Sequence, residues 1–187
     1  QSRLTARCLM SDFFQEPPRL GNQFEDDRVL QSFLRRHLAP PSLAEAEPAL
    51  RRLGARAAGE MIDLAREAEQ APPVLVKFDA WGRRIDAIRV SPAWRALHRI
   101  AAEEGIVATA YERRHELSRV HQFALLYLYP PSSAIYSCPL AMTDGAARVL
   151  ELDAEAGLRR EIFPHLVTRD PEAMWTAGQW MTERRGG

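Results

Sequence analysis

Lysine is almost missing from this 187-residue sequence: Lys77 is the only one among 25 basic residues. An excess of either charge is missing too, because 25 acids balance the 25 bases. Nucleic-acid-binding surfaces ordinarily carry a basic excess, so the overall charge gives DNA binding no support. Cysteine is scarce, with only Cys8 and Cys138. That count excludes a disulfide scaffold and points to reduced thiols in the cytoplasm or, for a eukaryotic protein, the mitochondrial matrix. No apolar run approaches the ~20 residues of a membrane span. The most apolar stretch, "FALLYLY" at 123–129, reads as a buried helix. Metal-ligand spacing is absent as well. His37, His98, His115, His121 and His165 stand in no ligand pattern with cysteines or acids. His115 and His121 are six apart, on different helix faces.

What is present is ordinary globular material, 46% hydrophobic and 27% charged, enough for one large domain or one domain and part of a second. The first ten residues hold two arginines and no acid, and read as a disordered terminus rather than a transit-peptide tail. Residues 1–25, with paired prolines and no periodicity, predict an extended arm. Asp26 or Asp27 caps a predicted helix to Leu38, with Val29, Leu30, Phe33, Leu34 and Leu38 on one face. "APPS" at 39–42 breaks it. A long helical stretch follows from Ser42 to Gln70, with Pro48 near its start. Leu50, Leu53, Ala57, Met61, Leu64 and Ala68 form its apolar stripe. Residues 74–90 are β-branched around Gly82 and predict a hairpin. Further helices are expected from Ser91 to Glu104, Glu112 to Tyr129, Ser137 to Leu152 and Ala154 to His165. "RDPEA" at 169–173 reads as a turn, and "MWTAGQWM" at 174–181 as a strand. The fold class is therefore mainly α: a helical domain over 26–170 with a short hairpin, then the first strand of a truncated β domain over 171–187. A lone strand is not stable by itself, so this one requires a sheet the sequence does not supply.

Few residues read as chemical groups. Asp79 and Asp86 flank the hairpin, where Arg83 and Arg84 favour surface ion pairs over an acid dyad. Cys138 before Pro139 reads as a buried small hydrophobe rather than a nucleophile. The "LLYLY" aromatics read as core, with an acyl-pocket wall as the alternative. The closing "TERRGG" puts a hydroxyl, an acid and a glycine turn at a strand end. Bare N–H groups of such a turn can approach a phosphate or a flat ring closely. A plain glycine hairpin is the alternative.

Three stretches, in order, carry a resemblance. "MTERRGG" at 181–187 is similar to the flavin-contacting motif of the acyl-CoA dehydrogenase family. "FDAWGRRIDAIRVSPAWRAL" at 78–97 and "CPLAMTDGAARVL" at 138–150 resemble segments of its AidB-like, adaptive-response branch. The resemblance implies an N-terminal helical domain followed by β and four-helix domains, and an FAD-dependent α,β-dehydrogenation of acyl-CoA by a homo-oligomer. It implies Gln179, Trp180, Met181, Thr182 and Gly187 as FAD contacts, Thr182 also facing the substrate, and Glu183 orienting the strand end. Arg184 and Arg185 depart from the family's usual residues at the pyrophosphate. No catalytic residue falls in this chain: the base and most of the flavin site are expected beyond Gly187, so the fragment alone is expected to be inactive. Two alternatives follow from the branch: a DNA-binding protective flavoprotein, or a non-catalytic fatty-acyl-binding helical module.

Overall fold

The structure, a computed structural model, describes residues 15–112 and 117–179. The chain enters as an extended arm that docks on the second helix. Asn22 donates through Nδ2 to the Arg51 carbonyl, and the Gln23 N–H donates to the Gly54 carbonyl at 3.1 Å. A Cβ on Gly54 would lie 2.7 Å from the Phe24 backbone nitrogen, so only glycine lets the arm approach this closely. Phe24 is thereby buried.

Helix α1, Arg28–His37, starts where Asp27 accepts the Leu30 N–H at 2.7 Å, the cap expected from the sequence. Its predicted apolar face divides in two. Leu30, Leu34 and Leu38 are buried, whereas Val29 is 78% and Phe33 49% exposed. The expected long helix is two, α2 (Pro40–Ala58) and α3 (Glu60–Gln70), separated at Gly59. Pro40 occupies the first position of α2, and Pro48 lies inside the helix rather than at its start. The turns before Pro48 persist because they bury Ala46 and pack Leu43 against the core. The stripe from Leu50 to Ala68 crosses the Gly59 break as a continuous core face.

Strands β1 (Val74–Phe78) and β2 (Arg84–Arg89) pair antiparallel as the predicted hairpin. Asp79 accepts the Trp81 and Arg83 N–H groups in the turn, and Arg84 pairs with Asp86 at 2.7 Å, an ion pair rather than an acid dyad. Helix α4 (Pro92–Glu103) is capped by Ser91, whose hydroxyl accepts the Trp94 N–H. A short helix α5 (Thr109–Glu112), which was not expected, comes next, and α6 (Ser118–Leu128) falls within the helix expected from Glu112 to Tyr129. Two 3-10 turns then lead to α7 (Ser137–Asp153) and α8 (Ala156–Leu166).

The core is a helical stack in which α3 packs on α4 and α2 on α6. Among the described residues its one deeply buried carboxylate, Glu104, is 1% exposed. Arg52 reaches it with Nε at 2.9 Å and Nη2 at 2.8 Å, and Arg56 with Nη1 at 3.0 Å, so α2 is tied to the end of α4. Replacing both Arg52 and Arg56 with Ala strands this charge. Urea unfolding should show a loss of about 3–5 kcal/mol, the usual cost of an uncompensated buried charge.

Candidate functional site

The segment most relevant to function, residues 169–179, is laid across three helices in turn. Helix α4 holds its beginning. His98 Nε2 lies 2.9 Å from the Pro171 carbonyl and Nδ1 2.5 Å from the Tyr136 hydroxyl. The carbonyl only accepts, so the network assigns the ring the Nε2–H tautomer, with Nδ1 accepting from Tyr136. Arg99 pairs with Glu172 at 2.9 Å. Helix α8 holds the middle. His165 Nδ1 donates to the Ala173 carbonyl at 2.9 Å, and its ring stacks on Trp175 at 4.1 Å and 7°. The Trp175 N–H returns a bond to the His165 carbonyl.

Helix α7 receives the end through the "CPLAMTDG" sequence. Pro139 falls in its first turn, where no N–H is needed. Thr143 is fully buried; its hydroxyl donates to the Pro139 carbonyl at 2.7 Å and accepts the Ala177 N–H at 3.0 Å. Met142 Sδ accepts the Gln179 N–H at 3.4 Å. One turn on, a Cβ at Gly145 would meet Gln179 Nε2 at 2.7 Å, so the bare glycine leaves room for that amide. A single helical turn, 142–145, thus fixes residues 177–179.

Two clefts meet at Gly145. One, about 520 Å³, lies between α7, α8 and the 175–179 segment. Val149, Leu150, Ile162, Leu166, Trp175 and Gln179 are among its lining, and no charged side chain of the described residues lines it. This described lining suits a flat ring or an alkyl chain. The other, about 800 Å³, has charged side chains in its wall, Asp144 and Arg119 among them. There Asp144 accepts from Tyr111 Oη at 2.7 Å and from Arg119 Nη1 at 2.7 and 2.9 Å. The Arg119 guanidinium lies 4.7 Å above the Tyr111 ring. Burial first, and then the Asp144 carboxylate, pushes the Tyr111 phenol well above its ordinary value of 10.0. Asp144 is fully engaged by these two partners and is not positioned as a base.

Of the residues expected to contact a flavin, Gln179 alone falls among the described residues, on the Met142–Gly145 turn. Trp180, Met181, Thr182 and Gly187, with Glu183, lie outside the described residues, as do Cys8 and His115. Residues 174–179 form no strand, contrary to expectation: their N–H groups bond Asp170 in the preceding turn, His165 of α8, and Thr143 and Met142 of α7, and no strand pairs with them among the described residues. Cys138 is exposed rather than buried. "FALLYLY" is amphipathic: Leu125, Leu128 and Tyr129 are buried, while Phe123 and Tyr127 are more than half exposed. Tyr111, Arg119 and Asp144 were not legible as a cluster, because nothing in their sequence spacing links three helices. Among the described residues no helix is long and apolar enough to cross a membrane.

Residues 15–172 match the model of the adaptive response protein AidB N-terminal domain. The chain is 41% identical over 180 residues to acyl-CoA dehydrogenase family member 11 of Caenorhabditis elegans, covering 94% of this chain and 29% of that protein. It is 30% identical over 145 residues to the putative acyl-CoA dehydrogenase AidB of Escherichia coli K12, covering 68% of this chain and 25% of the relative. Among solved structures it superimposes on Bd2924 in its apo form with a TM-score of 0.89 at 59% identity, covering 94% of this chain and 35% of that one. On C. elegans ACDH-11 in complex with C11-CoA the TM-score is 0.86 at 40% identity, covering 95% and 31%. The chain therefore spans about a quarter to a third of the length of these proteins.

Thr143→Val removes the acceptor of the Ala177 N–H while keeping side-chain shape. Loss of a buried bond of this kind costs about 1–3 kcal/mol. Amide hydrogen exchange at Ala177 should accelerate accordingly, and Thr143→Ser should restore protection. All four tyrosines are shifted upward: Tyr111, Tyr129 and Tyr136 by burial first, Tyr127 first by its hydrogen bond to Asp27. Raised acids favour the folded state below the unfolded value of 10.0, and that contribution is lost as pH climbs toward the folded values. Tyrosinate absorbance should therefore appear only above pH 10, together with loss of helical circular dichroism.

Proposed function

This chain belongs to the AidB N-terminal domain family, within the acyl-CoA dehydrogenases, and on that premise we propose that it is the N-terminal portion of an FAD-dependent enzyme that oxidises acyl-CoA at the α,β position. In this reading residues 26–170 are the helical domain and 171–187 lead into a β domain. Gln179, Trp180, Met181, Thr182 and Gly187 are the flavin contacts, and Thr182 also faces the acyl-CoA. When bound, FAD supplies the acceptor for the hydride leaving the β carbon.

The observation that carries this reading is the seat of residues 177–179 on Met142, Thr143 and Gly145. A flavin-contacting segment must arrive with its backbone already fixed, because donors ordered in advance cost no reorganisation during reaction. Thr143 and Met142 consume the N–H groups of Ala177 and Gln179, so those two bonds orient the segment. The apolar cleft beside Gln179 suits a ring or alkyl group. Among the described residues no carboxylate lines that cleft, and Asp144 next door is held by Tyr111 and Arg119, so this reading takes its base from elsewhere in the full-length protein. The same reading makes the chain alone inactive.

One observation favours a second reading, a fatty-acyl-binding module without oxidation. Val29, Phe33, Phe123 and Tyr127 form an apolar groove of about 520 Å³ between α1 and α6, outside the cleft at Gln179.

The test is to express this sequence continued by the segment its relatives carry after it. A purified yellow protein absorbing near ~450 nm, the oxidised-flavin band, supports the proposal. A folded colourless protein that binds fatty acyl-CoA overturns it in favour of the second reading.

A further inference from the structure

Met61, Met142 and Met174 are the methionines among the described residues, and their cover differs. Met61 is 0% and Met174 6% exposed, whereas Met142 is only partly buried. The Met142 sulfur also carries a tie, accepting the Gln179 N–H at 3.4 Å. The neighbouring tie has another chemistry: the Ala177 N–H meets the hydroxyl oxygen of Thr143, which is fully buried. A hydroxyl is inert to mild oxidants. A thioether is a weak acceptor that peroxides convert to a polar sulfoxide. The last described residue of the tail is therefore held by the one readily oxidised side chain of the 142–145 turn.

The sulfur has two lone pairs, and the Gln179 N–H occupies one of them. Oxygen arriving at the free pair makes the sulfur the positive end of an S–O dipole, which then faces the amide hydrogen. Oxygen arriving at the engaged pair has to fit between sulfur and nitrogen. A separation of 3.4 Å cannot hold in line an S–O bond and an N–H···O bond of about 2.9 Å. Either product breaks the tie as it stands. The bond from Ala177 to Thr143 contains no sulfur and is unaltered, so the loosening is confined to the residues after Ala177.

We propose that Met142 is a peroxide-oxidation site whose conversion to the sulfoxide releases Gln179 from α7. Hydrogen peroxide supplies the oxygen. As a sulfur lone pair bonds one peroxide oxygen, the O–O bond breaks and the other oxygen leaves as water with both hydrogens. The thioether is oxidised, the peroxide is reduced, and no further reactant is consumed. Methionine sulfoxide reductases reverse the step. The modification itself is a property of this chain. Its consequence for cofactor binding rests on the flavin reading, in which Gln179 is the first of the flavin contacts.

The test uses the full 187-residue chain, treated with hydrogen peroxide at graded concentrations. Peptide masses report oxygen uptake at each methionine, hydrogen exchange reports the amides, and circular dichroism reports the fold. Met142 should gain one oxygen about tenfold faster than Met61 or Met174, in keeping with their cover. Exchange at the Gln179 amide should then rise about fivefold, the effect of one lost hydrogen bond, while Ala177 stays protected. Reductase treatment should return both Met142 and the Gln179 amide to their starting state. Met142→Leu should exchange quickly at Gln179 from the outset and show no further response to peroxide. Oxidation of Met142 no faster than of the buried methionines, an unchanged Gln179 amide in the sulfoxide, or equal acceleration at Ala177 overturns the proposal. A colourless extended protein removes the flavin reading and leaves each of these outcomes as it stands.

Discussion

A carboxylate buried as deeply as Glu104 is tolerable only when its charge is met at once. Arg52 and Arg56 meet it from α2, so the end of α4 has one acceptable position against that helix. Much of the tail placement follows from where α4 ends. The Glu103 carbonyl accepts Arg169 Nη1 at 3.1 Å, and Arg169 also reaches Glu112 and Thr109. His98 and Arg99, one to two turns back on α4, hold Pro171 and Glu172. An ion pair between the first third of the chain and its middle therefore bears on the course of its last described residues.

From there the segment is passed from α4 to α8 to α7, each contact narrowing its freedom before the next. The order matters physically. An extended stretch without a ladder partner must satisfy its N–H and C=O groups elsewhere. Here His98, His165, Thr143 and Met142 accept or donate in place of a neighbouring strand. The result is a backbone tied down by side chains of other helices while one flank stays open to a cleft.

Polar and apolar groups are treated in opposite ways. Buried charge is compensated, at Glu104 by two arginines and at Asp144 by Arg119 and Tyr111. Apolar surface is left open in two places, the β1–β2 hairpin and the groove between α1 and α6. Exposed apolar clusters of this kind mark interaction surfaces rather than stable monomer exterior. The chain covers only a quarter to a third of its relatives' length, and surfaces of this kind are where further polypeptide has room to pack.

The sequence by itself determined what local chemistry controls: the Asp27 and Ser91 caps, the hairpin around Gly82, the stripe from Leu50 to Ala68, and the order of helices. Periodicity, caps and turn residues act within a few positions, so they can be read in line. The family was legible for a related reason: three motifs each kept their local spacing. Tertiary structure alone decided the rest. Val29, Phe33 and Tyr127 were apolar or aromatic at core-like spacing, yet they stay about half exposed or more. Pro48 stayed inside α2 because burial of Ala46 and Leu43 outweighed one missing hydrogen bond. Residues 174–179 had strand propensity but no partner, so they went to Thr143 and Met142, more than thirty positions away. Such contacts depend on which surfaces meet after folding, and no spacing along the chain encodes that.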